Sequence, residues 1–288
     1  MATPLTPDRL LDALRDEGVT VIEYGDWRNH DRAGHGGWGP INGVIIHHTV
    51  SSGTESSVEL CHDGYSELPG PLCHGVIAKD GTVYLISAGR ANHAGRGDGD
   101  VLSAVVDERP TPSPSEGDTD GNAHFYGFEC INLGDGDDPW PEAQLDAIER
   151  ASAAICRAYG WSAASVIGHK EWTSDKIDPR GFSMRTMRER IDRRLGRAPT
   201  RPVPTPVYEP FPGGDFFRSR PRSPIVTAMG RRLVAEGCSA YADGPGPQWT
   251  AADLRSYARW QRKRGYSGSD ADGWPGRTTW DALRVPKV

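Results

Sequence analysis

His47 and His169 each end a run of apolar, largely β-branched residues, GVIIHHTV from Gly43 and VIGHKEWTSDKIDP from Val166. A strand that stops on a histidine holds an imidazole rigidly over a cleft. Asp178 follows His169 by nine residues, just ahead of Pro179. Two imidazoles and a carboxylate from separate elements can hold a tetrahedral zinc ion with its fourth position open. That position takes water and lowers its pKa toward neutrality, so no Ser or Cys nucleophile is needed. Taken singly, either histidine reads as a structural residue at a strand end.

Glu129 stands in GFECIN, mid-strand among apolar residues, where an unpaired carboxylate is costly and needs a reason. Burial there raises its pKa toward the value wanted of a general base; the plainer reading is an internal ion pair with an arginine. Five cysteines, Cys61, Cys73, Cys130, Cys156 and Cys238, are widely spaced with no Cys-x-x-Cys. They read as small buried apolar groups rather than a disulfide framework, a Cys61–Cys73 bridge being the lesser reading. Unpaired thiols fit a chain made in a reducing cytosol.

The elements that must position these groups alternate. Helices are predicted at Pro7–Glu17, Glu55–His62, Pro141–Tyr159 and Met184–Leu195. Strands are predicted at Val19–Glu23, Gly43–His47, Tyr126–Asn132 and Ser165–Gly168. A hairpin, Cys73–Lys79 with Thr82–Ser87, turns at Asp80-Gly81. The pattern is α/β, a mixed central sheet flanked by helices. Arg96 to Asn122, with its RPTPSPSEGDTDGN, reads as a long surface loop. Prolines at 199, 202, 204, 206, 210 and 212 mark residues 198–213 as a polyproline-like linker between a domain over 1–197 and another over 214–288. In the last, Ser223-Pro224, Thr250 and Arg277 open three short helices, a small bundle.

The 288 residues carry 33 Lys+Arg and 39 Asp+Glu, net −6. The charge divides sharply: net −12 up to Gly213 (20 basic, 32 acidic) and +6 from Gly214 (13 basic, 7 acidic). A cationic module meets nucleic acid or anionic polymers such as cell walls; the acidic first domain disfavours nucleic acid. No apolar run approaches the roughly 20 residues of a bilayer span, so no membrane insertion is expected. Met1 to Pro7 shows no secretory signal.

IIHHT, CHGVIAKDGTVYLI, ANHAG, GFECIN and GHKEWTSDKIDP follow one another in this order. Together they resemble the zinc-dependent N-acetylmuramoyl-L-alanine amidases, a family that includes many phage endolysins and the animal peptidoglycan recognition proteins. The resemblance spans roughly Gly43 to Leu195. It implies zinc ligands at His47, His169 and Asp178, with His48, on the opposite side of the strand, left as structural. It further implies Glu129 as catalytic acid/base and Lys176 as the cation that stabilises the oxyanion. His74 and His93 would line the substrate groove, and Trp38 is a further lining candidate. One position departs from the pattern: relatives often carry Tyr before the hairpin His, and here stands Cys73, which shifts the base role onto Glu129. The C-terminal segment resembles the helical peptidoglycan-binding modules of actinobacterial phage lysins, with Gln261 and the Asp272-Gly273…Gly276…Thr278 pattern.

The expectation is an endolysin that cleaves the amide between N-acetylmuramic acid and L-alanine with a zinc-activated water. A zinc peptidase acting within the stem peptide and a non-catalytic peptidoglycan receptor are the alternatives. The implied partners are peptidoglycan and anionic wall polymers, with release from the host cytoplasm to the wall by a phage membrane-permeabilising protein, a holin.

Overall fold

The computed structural model describes residues 2–199 and 208–288. The chain separates into two compact units, Met1–Pro202 and Val203–Val288. Residues 200–207, half of the expected linker, lie outside the described residues.

The first unit is built on a six-stranded sheet of β1 (Val21–Glu23), β2 (Gly43–His48), β5 (Gly75–Ile77), β6 (Val83–Leu85), β9 (Phe125–Cys130) and β10 (Val166–Gly168). Its order is β1-β6-β5-β9-β2-β10, and every neighbouring pair is parallel except the β5–β6 hairpin. Two small ribbons, β3 (Gly64–Tyr65) with β4 (Leu68–Pro69) and β7 (Arg96–Gly97) with β8 (Thr119–Asp120), stand outside it.

Side chains alternate between the two faces of a strand, and that period sorts the core. Val44, Ile46, Tyr126, Phe128 and Val166 pack with α1 (Pro7–Asp16), α4 (Glu142–Tyr159) and α6 (Met184–Leu195). Ile45, Phe125 and Ile167 face the other way, onto α3 (Gly99–Val106) and Trp172 of α5 (His169–Trp172). Val76 and Ile131 share that second face with Val58 and Cys61 of α2 (Thr54–Asp63). The result is three layers, helices on both faces of a mostly parallel sheet, which is the predicted α/β class.

The segment read as a loop contains more than loop. Asp98 caps α3, accepting from the Asp100 N–H at 2.8 Å, and Val101, Ala104 and Val105 give the helix a buried stripe. The same Asp98 carboxylate accepts the N–H groups of Ser115 and Glu116, tying the Pro-rich return back to the helix start.

The second unit is helical, and its described residues form four α-helices where the sequence predicts three: α7 (Gly214–Arg218), α8 (Pro224–Ala235), α9 (Ala251–Lys263) and α10 (Arg277–Leu283). The extra one is a single turn whose Phe217 is fully buried against Trp249 and Trp280. Gln261 clamps the turn before α10: its Nε2 donates to the Trp274 carbonyl at 3.0 Å, and its Oε1 accepts from Gly273 N–H at 2.7 Å. Among the described residues no helix is long and apolar enough to cross a membrane.

Candidate metal centre and hydrolytic site

Strands β2, β9 and β10 run parallel, so their carboxyl ends open at one edge of the sheet, where sheets of this kind place their ligands. His47 is the fifth residue of β2, Glu129 the fifth of β9, and His169 follows β10 directly. His47 pairs in register with Glu129. By the two-residue period all three side chains share the face of Ile45, Phe125 and Ile167. His48 and Cys130 point through to the opposite layer.

Asp178 reaches this edge from the loop after α5. Lys170 anchors that loop twice: its N–H donates to the Asp178 carbonyl at 2.8 Å and its Nζ to the Pro179 carbonyl at 2.6 Å. Glu171 accepts from the Gly168 N–H and is gripped by both guanidinium nitrogens of Arg188 at 2.8 and 2.9 Å, fixing α5 to α6.

Three ligand atoms converge. His47 Nδ1 lies 2.9 Å from His169 Nδ1, and each is 3.1 Å from Asp178 Oδ2. Ligand bonds of ~2.0–2.1 Å at a tetrahedral zinc put neighbouring ligand atoms about 3.3 Å apart, close to these separations. All three residues are buried.

The surrounding hydrogen bonds decide which atoms carry protons. A backbone carbonyl only accepts, so His169 Nε2–H donates to the Ala94 carbonyl at 3.2 Å and, in the neutral ring, leaves Nδ1 bare. His93 Nε2–H donates to the Phe125 carbonyl at 3.0 Å, which leaves His93 Nδ1 an acceptor for His47 Nε2–H at 3.0 Å. His47 Nδ1 is then bare as well. Burial, reinforced by the neighbouring His169, lowers the His47 pKa to about 4, and burial likewise pushes His93 well down, so both rings are neutral at neutral pH. Two nitrogen lone pairs and a carboxylate oxygen therefore face one another with no proton assigned between them. That arrangement is repulsive on its own and fits a divalent cation.

Glu129 completes the edge. Its Oε2 is sealed from solvent and has no hydrogen-bond partner, and the expected alternative, an internal pair with an arginine, is not present among the described residues. Burial first, then Cys61 and Asp178, raise its pKa well above the ordinary carboxylate value, with Lys176 acting against them. Lys176 is exposed on the loop two residues before Asp178. Its charge also bears on His47, lowering that ring's pKa.

Other expected residues fall differently. His48 Nδ1 accepts the Arg180 N–H at 3.3 Å, away from the cluster. His93 and His74 are both buried. His93 is 8% exposed and uses both ring nitrogens inside the protein; His74 is fully buried, with Nδ1 accepting the Gly127 N–H at 2.9 Å. His93 fits behind the cluster because strand β9 has a glycine there: a Cβ on Gly127 would collide with the His93 ring. Trp38 stacks on His74, centroids 4.9 Å apart. Cys61 and Cys73 are both free, buried thiols, and Cys73, held high in pKa by burial, offers no substitute for a phenol.

One residue escaped the sequence reading. Asn122 Oδ1 accepts the N–H groups of His93, Ala94 and Gly95 at 2.9, 2.7 and 3.2 Å. A single side chain thus sets both His93, which orients His47, and Ala94, whose carbonyl orients His169.

The model of the Amidase_2 family, described as N-acetylmuramoyl-L-alanine amidase, matches residues 37–181. Among solved structures the chain is similar to the Ph2119 endolysin from the Thermus scotoductus MAT2119 bacteriophage Ph2119, at 17% identity and TM-score 0.42 over 60% of this chain and 99% of that one. It is similar also to the Escherichia coli amidase AmiD, solved with a muropeptide substrate, at 14% identity and TM-score 0.40 over 88% and 91%. A third is the endolysin LysCS from Clostridium intestinale URNW, at 16% identity and TM-score 0.40 over 61% and 97%. No curated protein matches the chain. The family match takes in His47, Glu129, His169, Lys176 and Asp178 and covers just over half of the 288 residues: the chain belongs to the N-acetylmuramoyl-L-alanine amidase family.

Proposed function

We propose that this chain hydrolyses the amide between the lactyl group of N-acetylmuramic acid and the L-alanine of the stem peptide, using zinc held by His47, His169 and Asp178. The observation that carries the reading is the convergence of three bare acceptor atoms within 3.1 Å inside the span of the family match. Bound there, zinc supplies Lewis acidity, which polarises a carbonyl and makes water nucleophilic at neutral pH.

The chain's own residues do the rest. His93 and the Ala94 carbonyl fix the two imidazoles so that each presents Nδ1 to the metal. Glu129, on the same face one strand over, takes the proton of the attacking water and hands it to the leaving amine. Its high pKa suits delivery, and positive charge at the cluster favours the ionised form needed to accept. Lys176, exposed on its loop, meets the negative charge that develops on the carbonyl oxygen.

The second unit, net +6 from Gly214, is the wall-binding module in this reading, tethered by the Pro-rich segment so that substrate concentration rises at the first unit. The whole is a phage endolysin, held in the host cytoplasm until a holin releases it to the wall. The test is mass spectrometry of purified peptidoglycan digested with the protein. Fragments with a free L-alanine amine and an intact lactyl carboxylate are expected. Cleavage within the stem peptide would make it a peptidase, and binding without cleavage a receptor.

A further inference from the structure

The second unit holds a feature its fold does not require. Trp249, Trp260 and Trp280 are core residues, but Trp274 is only partly buried. It stacks on Trp249, ring centroids 5.6 Å apart and planes 14° from parallel, and the Arg218 guanidinium carbon lies 5.3 Å from its centroid. Beside the pair opens a cavity of about 180 Å³ lined by Arg220, Trp249, Thr250, Ala251, Leu254 and Trp274.

Both arginines are exposed, and among the described residues the ion pairs of this unit, Arg232–Glu236 and Lys263–Glu236, involve neither. Arg220 is also held at φ 53, a conformation glycine adopts without strain and arginine does not. The turn is pinned there: its N–H donates to the Phe217 carbonyl at 3.0 Å, and its own carbonyl accepts from Gln248 Nε2 at 2.8 Å. A non-glycine residue kept in a strained conformation at the mouth of a cavity points to a use for its side chain.

An indole face takes the C–H face of a sugar ring, and a guanidinium fork takes a carboxylate or phosphate. The cavity has room for one ring, not a strand. We propose that this cleft binds a single pyranose ring bearing its own anionic substituent, the ring against Trp274 and the anion against Arg218 and Arg220. Muramic acid meets that description once its lactyl carboxylate is free, the state amidase hydrolysis leaves behind. A phosphorylated or uronic sugar of a wall polymer carries the same chemistry. The inference rests on reading the second unit as a wall-binding module and adds its ligand class and site.

The test titrates the full chain with N-acetylmuramic acid, glucuronic acid, glucose 1-phosphate and neutral N-acetylglucosamine, following indole N–H signals by NMR. At least one acidic sugar should bind roughly tenfold tighter than the neutral one, and the tightest identifies the source. Arg218→Glu should abolish the acid preference. Arg220→Gly should lose affinity while its thermal midpoint holds or rises, since glycine relieves the strained φ. Trp274→Ala should lose binding of every sugar. Equal binding of neutral and acidic sugars, no binding of any acid, or unchanged affinity in both arginine variants overturns the proposal. Co-sedimentation of the full chain with purified walls separates the two failures: walls bound without sugar binding refute the cleft alone, and walls unbound refute the module.

Discussion

Glu129→Gln separates the chemistry from the fold. Glutamine keeps the shape of the side chain and removes the charge that burial disfavours. In the metal-free protein, Glu129 stays protonated well above the pH at which an unfolded glutamate ionises near 4.5. Below that pH both states are protonated, and wild type and variant should be equally stable. As pH rises past it, the unfolded wild-type chain releases a proton that the folded chain retains. Wild type then loses up to about 1.4 kcal/mol per pH unit until the folded pKa is reached. The unpaired Oε2 sets the scale, ~1–3 kcal/mol for an unsatisfied buried polar group. The assay is the thermal midpoint of chelated protein at pH 4 and pH 7: equal midpoints at pH 4, and the glutamine variant higher by a few degrees at pH 7. Zinc-loaded variant should bind peptidoglycan but turn over roughly 10²–10⁴-fold more slowly. Equal midpoints at both pH values, or near-wild-type turnover, would refute the reasoning.

Other perturbations test the shell. His47→Ala should abolish zinc binding and His48→Ala should retain it, read by metal analysis after dialysis; the reverse result would move the ligand to the other face of β2. His93→Phe, which cannot accept from His47 Nε2–H, should weaken zinc roughly 10–100-fold in competition with a chromophoric chelator. Asn122→Leu should weaken zinc as well, because three N–H groups lose their acceptor; unchanged affinity would show the 93–95 loop holds itself. Acid should destabilise the metal-free protein early. His47 and His74, lowered to about 4 and about 3 chiefly by burial, stay neutral when folded while unfolded histidines protonate below about 6.5. Stability should therefore fall as pH drops from 6.5 toward 4, and a flat profile across that window would contradict the burial.

Much of the site is readable because strands have a period of two and parallel strands end together. GVIIHH states which imidazole shares a face with Ile45, and GFEC places Glu129 beside it. Helix caps are equally local: Ser223-Pro224 and Thr250 open α8 and α9 where the sequence says they should. Two kinds of information are missing from such a reading. Gly99–Val106 lacks a strong helix former at its start and sits between glycine- and proline-rich stretches, which mask its Asp98 cap and buried valines. His93 and Asn122 act through partners about 30 to 50 positions away, and neither side chain's type reveals that its duty is to orient another residue.

The central claim is that His47, His169 and Asp178 form one zinc site on which peptidoglycan hydrolysis depends. The direct measurement is zinc content per chain alongside turnover on purified peptidoglycan, for wild type, chelated and reloaded protein, and Asp178→Ala. The account predicts one zinc per chain, activity lost on chelation and restored in proportion to zinc returned, and neither zinc nor activity in Asp178→Ala. Full hydrolysis by metal-free protein, or stoichiometric zinc and activity retained without Asp178, would contradict it.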